Sequence, residues 1–140
     1  MKRLFRSAAL PLTLAIVIPA VALAAGSSNQ VWATSTCTKE QYKPTGIVLA
    51  CGDGNTFLSQ LKWTAWTATS AKGSGFYNYN TCTPNCAAGR AKSFAVRLVL
   101  SNPKPCKNHA HKTFTDVRVT YTAGKPSHPV TRFKIFCPLP

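Results

Sequence analysis

Acidic side chains are scarce in this chain. Its 140 residues hold 3 Asp+Glu against 17 Lys+Arg, which gives a formal net charge of +14 at pH 7. The acids are Glu40, Asp53 and Asp116. Glycoside hydrolysis by paired carboxylates and calcium cages both need several acids in one place, so the shortage counts against them. The positive excess instead favours attraction to anionic polymers.

Helical periodicity is also missing. No segment after the N-terminus repeats its apolar residues with a helical period over about 11 residues, and none approaches the length of a membrane-spanning helix. Hydrophobic residues still make up 45% of the chain, an ordinary share for a globular protein. The length and composition therefore predict one folded domain without long amphipathic helices.

The N-terminus reads as a targeting segment. A basic start, Met1 to Arg6, precedes the apolar run 8–21, and Ala22-Leu23-Ala24 matches a small-x-small cleavage site. We expect a cleaved signal peptide at 1–24 rather than a membrane anchor, an extended N-terminal arm at 25–45, a domain at 46–140 and a secreted product. Cleavage removes three of the 17 basic side chains and leaves a net charge of +11, so the basicity belongs to the domain.

Cysteine usage agrees with export. All six cysteines follow the signal segment, and an even number in a small exported domain indicates disulfides. Zinc is the alternative, but Cys82 and Cys86 have no second close pair to complete a tetrahedral site. About 15 pairings are possible, and only Cys106 with Cys137, which flank an expected hairpin, has a geometric argument. The six are Cys37, Cys51, Cys82, Cys86, Cys106 and Cys137.

Alternating apolar and polar residues predict strands. In 93–100, 114–121 and 130–137, alternate residues are apolar, which is typical of half-buried strands. We expect Lys72-Gly73-Ser74-Gly75 to break the chain and the prolines of 102–105 to end a strand. Six or seven short strands predict an all-β fold, a small disulfide-stabilised β-sandwich of Ig-like architecture, with a small barrel as the alternative. The other candidate strands are 47–50, 57–69 and 76–79.

Four elements together resemble one group of proteins. They are Leu49-Ala50-Cys51-Gly52-Asp53-Gly54-Asn55, Leu61-Lys62-Trp63-Thr64-Ala65-Trp66, Gly73-Ser74-Gly75, and Asn80-Thr81-Cys82-Thr83-Pro84-Asn85-Cys86-Ala87-Ala88-Gly89. The combination resembles small, uncharacterised secreted proteins of actinobacteria and covers roughly residues 47–106, about half of the chain after the signal. The resemblance implies secretion and a compact β-domain. It supplies no activity.

Exposed basic and aromatic residues are the candidate binding residues. Arg118, Arg132 and Lys134 alternate outward on the last two predicted strands, and they share one face if those strands pair. Lys62 and Trp66 extend this patch if the strand order allows it. Trp63 and Trp66, three apart, point to opposite faces of a regular strand, so Trp63 belongs to the core and Trp66 either packs or stacks on a sugar or base.

Histidines and the Asp53 turn are weaker candidates. His109 and His111 have the spacing of a copper or zinc pair, but their segment reads as a solvated loop, and no acid lies nearby in sequence to orient them. The segment Cys51-Gly52-Asp53-Gly54-Asn55 reads as a turn closed by Asp53, rather than a cation site. We therefore expect no metal and no cofactor.

The sequence favours a secreted, non-enzymatic binding or envelope-associated module. Its expected partners are teichoic acids or other anionic polymers of the cell envelope, anionic lipid head groups, or nucleic acid. Each would be bound by electrostatic attraction with little selectivity. The alternative is a small secreted hydrolase that uses His109, His111 or His128. No Gly-x-Ser-x-Gly nucleophile turn supports a hydrolase, and a pocket joining a histidine to Asp53 or Asp116 would favour one.

Overall fold

The described part of the chain is built from β-strands joined by turns and loops. A computed structural model describes residues 30–107 and 109–139. The predicted signal peptide at 1–24 lies outside the described residues. The strands are β1 (Val31–Thr36), β2 (Lys39–Gln41), β3 (Ile47–Val48), β4 (Thr56–Trp66), β5 (Ser70–Asn80), β6 (Ala91–Pro105), β7 (Lys112–Ala123) and β8 (Arg132–Lys134).

All eight strands belong to one sheet that curls into a half-barrel. The strand order is β2-β1-β7-β6-β5-β4-β3, and β8 adds to β7. Most neighbours are antiparallel, whereas β1 pairs in parallel with the start of β7. β1 and β3, near opposite ends of this order, contact each other because the sheet curls. The predicted all-β, disulfide-stabilised class is confirmed, in the form of one curled sheet.

The segment predicted to be an extended N-terminal arm contributes β1 and β2. Val31 and Ala33 of β1 are 2% and 0% exposed, and both belong to the hydrophobic core. The sequence pattern missed this strand because Thr34 and Ser35 are also buried. Their hydroxyls donate to the carbonyls of Phe136 and Lys39, which satisfies them inside the fold. The domain therefore includes residues before 46, and the expectation of a separate arm is corrected for residues 31–41.

β4 departs from regular alternation twice. Its register against β5 shifts between Ser59 and Lys62 and again between Trp63 and Ala65, and Gln60 has a φ of 52°. Each irregularity inserts a residue and returns the following side chain to the inner face. The expectation that Trp63 and Trp66 face opposite sides is therefore wrong. Their rings pack edge to face with centroids 4.7 Å apart.

The glycines of β5 lie inside a continuous strand, which corrects the expectation that residues 72–75 break the chain. A Cβ on Gly73 would lie 2.6 Å from the Lys62 carbonyl oxygen and 2.9 Å from the Trp63 ring. A Cβ on Gly75 would lie 2.6 Å from the Ser59 carbonyl oxygen. These glycines admit the close approach of the bulged β4 backbone, a common role of glycine inside a strand. β5 therefore continues from Ser70 through Asn80.

Two prolines lie inside β6, where we had expected the strand to end. β5 pairs with β6 only up to Ser101, whereas Pro103 and Pro105 pair with β7 alone. This end of β6 has one neighbour, so a proline can occupy it without removing a hydrogen bond to a second strand. Asn102, with a φ of 56°, lies just before the first of these prolines.

The alternation predicted for β6 and β7, and through 132–135 of the last segment, is confirmed. Val96, Leu98 and Leu100 are buried on one face of β6, and Val117 and Val119 are buried on β7. The inner face of the half-barrel holds the core, and the outer face of these strands carries polar and basic residues. The buried core residues are Val31, Ala33, Ile47, Leu58, Leu61, Ala71, Tyr77, Val96, Leu98, Leu100, Phe114, Val117, Val119 and Ile135.

Three disulfides staple the ends of the sheet. Cys106–Cys137 joins the end of β6 to the chain after β8 and confirms the one pairing argued from the sequence. Cys37–Cys51 ties the chain after β1 to the turn after β3, and Cys82–Cys86 closes a short loop after β5. Among the described residues no cysteine is free. Over the same residues no helix is long and apolar enough to cross a membrane.

Candidate functional site

Basic residues form ordered rows on the outer face of the sheet. The strand register places Lys72, Val99, Arg118 and Arg132 side by side across β5, β6, β7 and β8. A neighbouring row runs from Lys62 on β4 through Ser74 and Arg97 to Thr120. We call six exposed residues the outer basic face: Lys62, Lys72, Arg97, Arg118, Arg132 and Lys134.

The spacing of the strands sets the size of this face. Adjacent strands lie about 4.8 Å apart, so Lys72 and Arg132, three strands apart, have Cα atoms about 14 Å apart. Residues two apart on one strand, such as Arg97 and Val99, are separated by about 7 Å. Arg132 therefore lies within the Debye length of about 8 Å at physiological salt from both Arg118 and Lys134, and the fields of these cations add.

Arg118 and Arg132 are directly opposed across the β7–β8 pair. Both are exposed. Like charges at directly opposed positions of an antiparallel pair destabilise the sheet. An anion between the two guanidinium groups reverses the sign of this interaction, because each group can donate two parallel hydrogen bonds to a phosphate or carboxylate.

Asp116 is the acid among the rows of this face. Its carboxylate forms an ion pair with Lys134. The Lys134 ammonium and the Asn102 side chain donate to this carboxylate and hold the pKa of Asp116 below its ordinary value of 3.8. Asp116 is thus ionised at neutral pH and neutralises Lys134, so the other five cations carry the face's net positive charge.

A shallow hollow lies beside this ion pair. It has a volume of about 320 Å³, and its lining includes Arg118, Arg132, Lys134 and Asp116. Three of the five residues predicted to bind therefore line one hollow. Lys62 lies on the same face of the sheet, four strands away from β8. Lys72 and Arg97, which complete the rows, were not singled out from the sequence because only the strand order shows that they are neighbours.

Trp66 lies on the inner side of the sheet, away from the other predicted binding residues. Its indole is partly buried against the core, and its Nε1 donates to the Val31 carbonyl oxygen at 2.8 Å. Its ring also packs edge to face on Phe114, with centroids 5.5 Å apart. Trp66 joins β4 to β1 and β7 and so helps to close the curl. Its packing contacts match the packing alternative named from the sequence.

The histidine segment before β7 is packed rather than solvated, which corrects our expectation. His109 Nδ1 lies 3.4 Å from Glu40 Oε1, and Thr113 Oγ1 donates to Glu40 Oε2 at 3.0 Å. His111 stacks on Trp32 with ring centroids 4.3 Å apart. The acid that faces His109 lies far away in sequence, on β2, which is why the pattern missed it. His128 is exposed on the loop before β8.

The turn predicted at Asp53 is confirmed. Asp53 Oδ1 accepts from the Asn55 backbone N–H at 3.0 Å, and Oδ2 accepts from the Asn55 side chain at 2.9 Å. These bonds lower the pKa of the Asp53 carboxyl. Gly54 takes a φ of 65°, which glycine adopts without strain. Within residues 30–107 and 109–139, no group of three or more His, Cys, Asp or Glu could hold a metal ion.

Asp53 and His128 line one cleft of about 290 Å³ at an open end of the half-barrel. A pocket shared by Asp53 and a histidine is the arrangement expected from the sequence for a hydrolase. Both carboxylate oxygens of Asp53 are bonded to Asn55. His128 Nδ1 lies 3.3 Å from Ser127 Oγ, within hydrogen-bonding distance. The cleft thus brings the two residues together without a bond between them.

Comparison with known proteins does not assign the chain to a family. No family model, no curated protein and no solved structure matches the chain. The resemblance to secreted proteins of actinobacteria stays a prediction. The surface geometry described above is therefore the basis for a functional proposal.

Proposed function

We propose that this protein is a secreted, non-enzymatic module that binds anionic polymers of the cell envelope through the outer basic face. The observation that carries the proposal is the opposed pair Arg118 and Arg132, flanked in the same row by Lys72. Their mutual repulsion becomes an attraction when a chain of phosphates lies along the row. Secretion is supported by the predicted signal peptide and by three disulfides in a small all-β domain.

The expected ligands share closely spaced phosphate groups. Teichoic acid and nucleic acid both present a flexible or regular line of phosphates, and an anionic membrane presents phosphates in a plane. A row of cations on a sheet face contacts the backbone of such a polymer rather than its bases or sugars, so binding is weakly selective. We favour teichoic acid because it lies outside the cell membrane, as a secreted protein does.

A matched pair of double variants tests the proposal. Arg118→Gln with Arg132→Gln removes two cations from the face, whereas Lys39→Gln with Lys125→Gln removes two exposed cations from β2 and from the loop after β7. Both variants lose the same net charge. We expect the face variant to bind teichoic acid about tenfold more weakly and the control to lose at most about twofold, because contacts rather than net charge dominate. Equal losses in the two variants would contradict a defined binding face.

A second candidate function is a hydrolase with a histidine-based site. Two observations favour it: the cleft shared by Asp53 and His128, and the contact between Glu40 and His109. The Asp53 carboxylate bonds to Asn55 and not to His128, so it does not orient the imidazole that would act as general base. The hydrolase is therefore the weaker of the two candidate functions. Hydrolysis of ester or phosphodiester substrates that is lost in His128→Asn or His109→Asn would favour this candidate over the binding module.

A further inference from the structure

One end of the half-barrel opens into the cleft of about 290 Å³. Three segments that are distant in sequence meet there: the turn at 53–56, the end of β5 with the residues just after it, and the loop at 126–128. Its volume is near the lower end of the roughly 300–1,000 Å³ typical of ligand pockets, and the mouth of a β-barrel is a common place for such a site. The cleft lies outside the outer basic face.

The polar groups of the cleft are held in place by one another. The Asn80 backbone N–H donates to the Asn55 carbonyl oxygen at 2.9 Å, which joins the turn to the end of β5. The Asn80 side chain donates to the Cys86 carbonyl oxygen at 2.8 Å. Cys86 is itself bonded to Cys82, a residue that lines the cleft. A ligand therefore meets groups that are already ordered, which lowers the entropic cost of binding.

Two tyrosines form the inner wall of the cleft. Tyr77 and Tyr79 lie two apart on β5 and face the same side, and Tyr77 is only 6% exposed. Their rings are fixed by other aromatics: Tyr79 stacks on Phe94, and Tyr77 packs against Tyr121 and Phe133. No side-chain hydrogen bond recorded in the described part of the chain uses the hydroxyl of Tyr77 or Tyr79. By contrast, the Tyr121 hydroxyl donates to the Val130 carbonyl oxygen at 2.9 Å.

The charge of the cleft differs from that of the rest of the surface. Although the chain holds 17 Lys+Arg, none of the described residues that line the cleft is Lys or Arg. Asp53 contributes a carboxylate, and its two bonds to Asn55 leave some of its roughly four acceptor positions free. The Asp53 carboxylate accepts hydrogen bonds from hydroxyl groups, and none of the described lining residues is a Lys or Arg that could pair with a phosphate. The ligand that the cleft suits is uncharged and rich in hydroxyls.

We propose that this cleft binds a sugar ring of a neutral polysaccharide, with the Asp53 carboxylate accepting from the sugar hydroxyls and the Tyr77 and Tyr79 hydroxyls bonding to the ring's polar edge. The partly exposed ring of Tyr79 supplies the apolar surface that the C–H face of a sugar contacts, whereas the buried Tyr77 contributes its hydroxyl. Asn55 and Asn80 line the same cleft and add amide groups that suit hydroxyls as donors or acceptors. This site is separate from the outer basic face and does not depend on polyanion binding.

Calorimetric titration with neutral hexasaccharides tests the site. The probes are cellohexaose, chitohexaose and mannohexaose, each added to the disulfide-bonded protein in low and in high salt. We expect at least one probe to bind with a millimolar or lower dissociation constant that salt does not change, because no ion pair forms. Tyr77→Phe and Tyr79→Phe each remove one hydroxyl and keep the ring, and each is expected to weaken binding about five- to tenfold.

Tyr121→Phe is the matched control, since it removes a hydroxyl that is bonded to Val130 and does not line the cleft. The control is expected to bind the same hexasaccharide as tightly as the unchanged protein. Three results would each overturn the proposal: no binding of any of the three probes, unchanged affinity in both Tyr77→Phe and Tyr79→Phe, or cleavage of the bound hexasaccharide. Loss of teichoic acid binding in the arginine variant leaves this result unaffected, so the two proposals fail separately.

Discussion

At the scale of single residues, Asp116 couples the outer basic face to the stability of the fold. Lys134 and Asn102 stabilise its ionised form, so its pKa in the folded protein lies below the ordinary value of 3.8 that applies to the unfolded chain. The unfolded state therefore binds more protons near that pH. The stabilisation is present above the unfolded pKa and is lost as the pH falls through the lower folded pKa.

We predict that Asp116→Asn is less stable than the unchanged protein at neutral pH and that the difference shrinks in acid. The side chain of Asp116 becomes neutral at low pH, where it resembles the asparagine of the variant. Urea unfolding of both proteins over a series of pH values measures this. A stability difference that stays constant from neutral pH to well below 3.8 would show that the Lys134 pair contributes nothing. Asp53, whose pKa is also lowered, remains in both proteins as an internal reference.

At the same scale, the face of the sheet on which Trp66 lies could not be predicted from the sequence. Its spacing from Trp63 indicates opposite faces, yet both indoles face inward and both donate to backbone carbonyl oxygens, Trp63 to Pro44 and Trp66 to Val31. A bulge changes the phase of every later residue on a strand. The residues around Gln60 do not predict the bulge, because glutamine rarely adopts a positive φ such as the 52° found at Gln60.

At the scale of strands, prediction succeeded where alternation is regular and pairing follows chain order. The inward and outward residues of β6 and β7, and of the last segment through Ile135, were predicted, and with them the shared face of Arg118, Arg132 and Lys134. It failed for β1, whose buried Thr34 and Ser35 hide its strand pattern, and for β5, whose glycines resemble a break. The cleft was also missed, since its three segments become neighbours only through the curl.

The pairing of β4 with β5 gives a prediction about glycine. Gly73→Ala is expected to lower the free energy of unfolding by about 1–3 kcal/mol, because overpacking against backbone cannot be relieved by rotating a side chain. The atom it would meet is the Lys62 carbonyl oxygen, 2.6 Å away. Gly52→Ala is the control, since a Cβ there has nothing within 4 Å. The prediction fails if urea unfolding shows equal effects for the two substitutions.

At the scale of the whole molecule, the disulfides hold together ends that short strands leave weakly paired. β8 has three residues, and the chain after it is fixed by Cys106–Cys137 across a sequence separation of 31. Closing a longer loop removes more entropy from the unfolded chain. The bridge between Cys82 and Cys86, with a separation of 4, constrains it much less.

Replacing both members of a bridge with alanine tests this ranking. We expect loss of Cys106–Cys137 to lower stability by about 3–4 kcal/mol and loss of Cys82–Cys86 by about 2 kcal/mol or less. Chemical unfolding of the two double variants, with the other bridges intact, measures the difference. A larger loss for the short bridge would mean that native packing around Cys82 matters more than loop closure.

At this scale we propose that the outer basic face binds polymers of phosphate. The most direct measurement is the affinity of the disulfide-bonded protein for duplex DNA, a phosphate polymer of known charge spacing, at several salt concentrations. With four to five contacts, we predict a slope of log affinity against log salt of about −4, which is about a 250-fold weakening between about 50 mM and 200 mM salt. Arg118→Gln with Arg132→Gln should reduce the slope by about 2. A slope near zero, or one that the arginine pair does not change, would contradict the account.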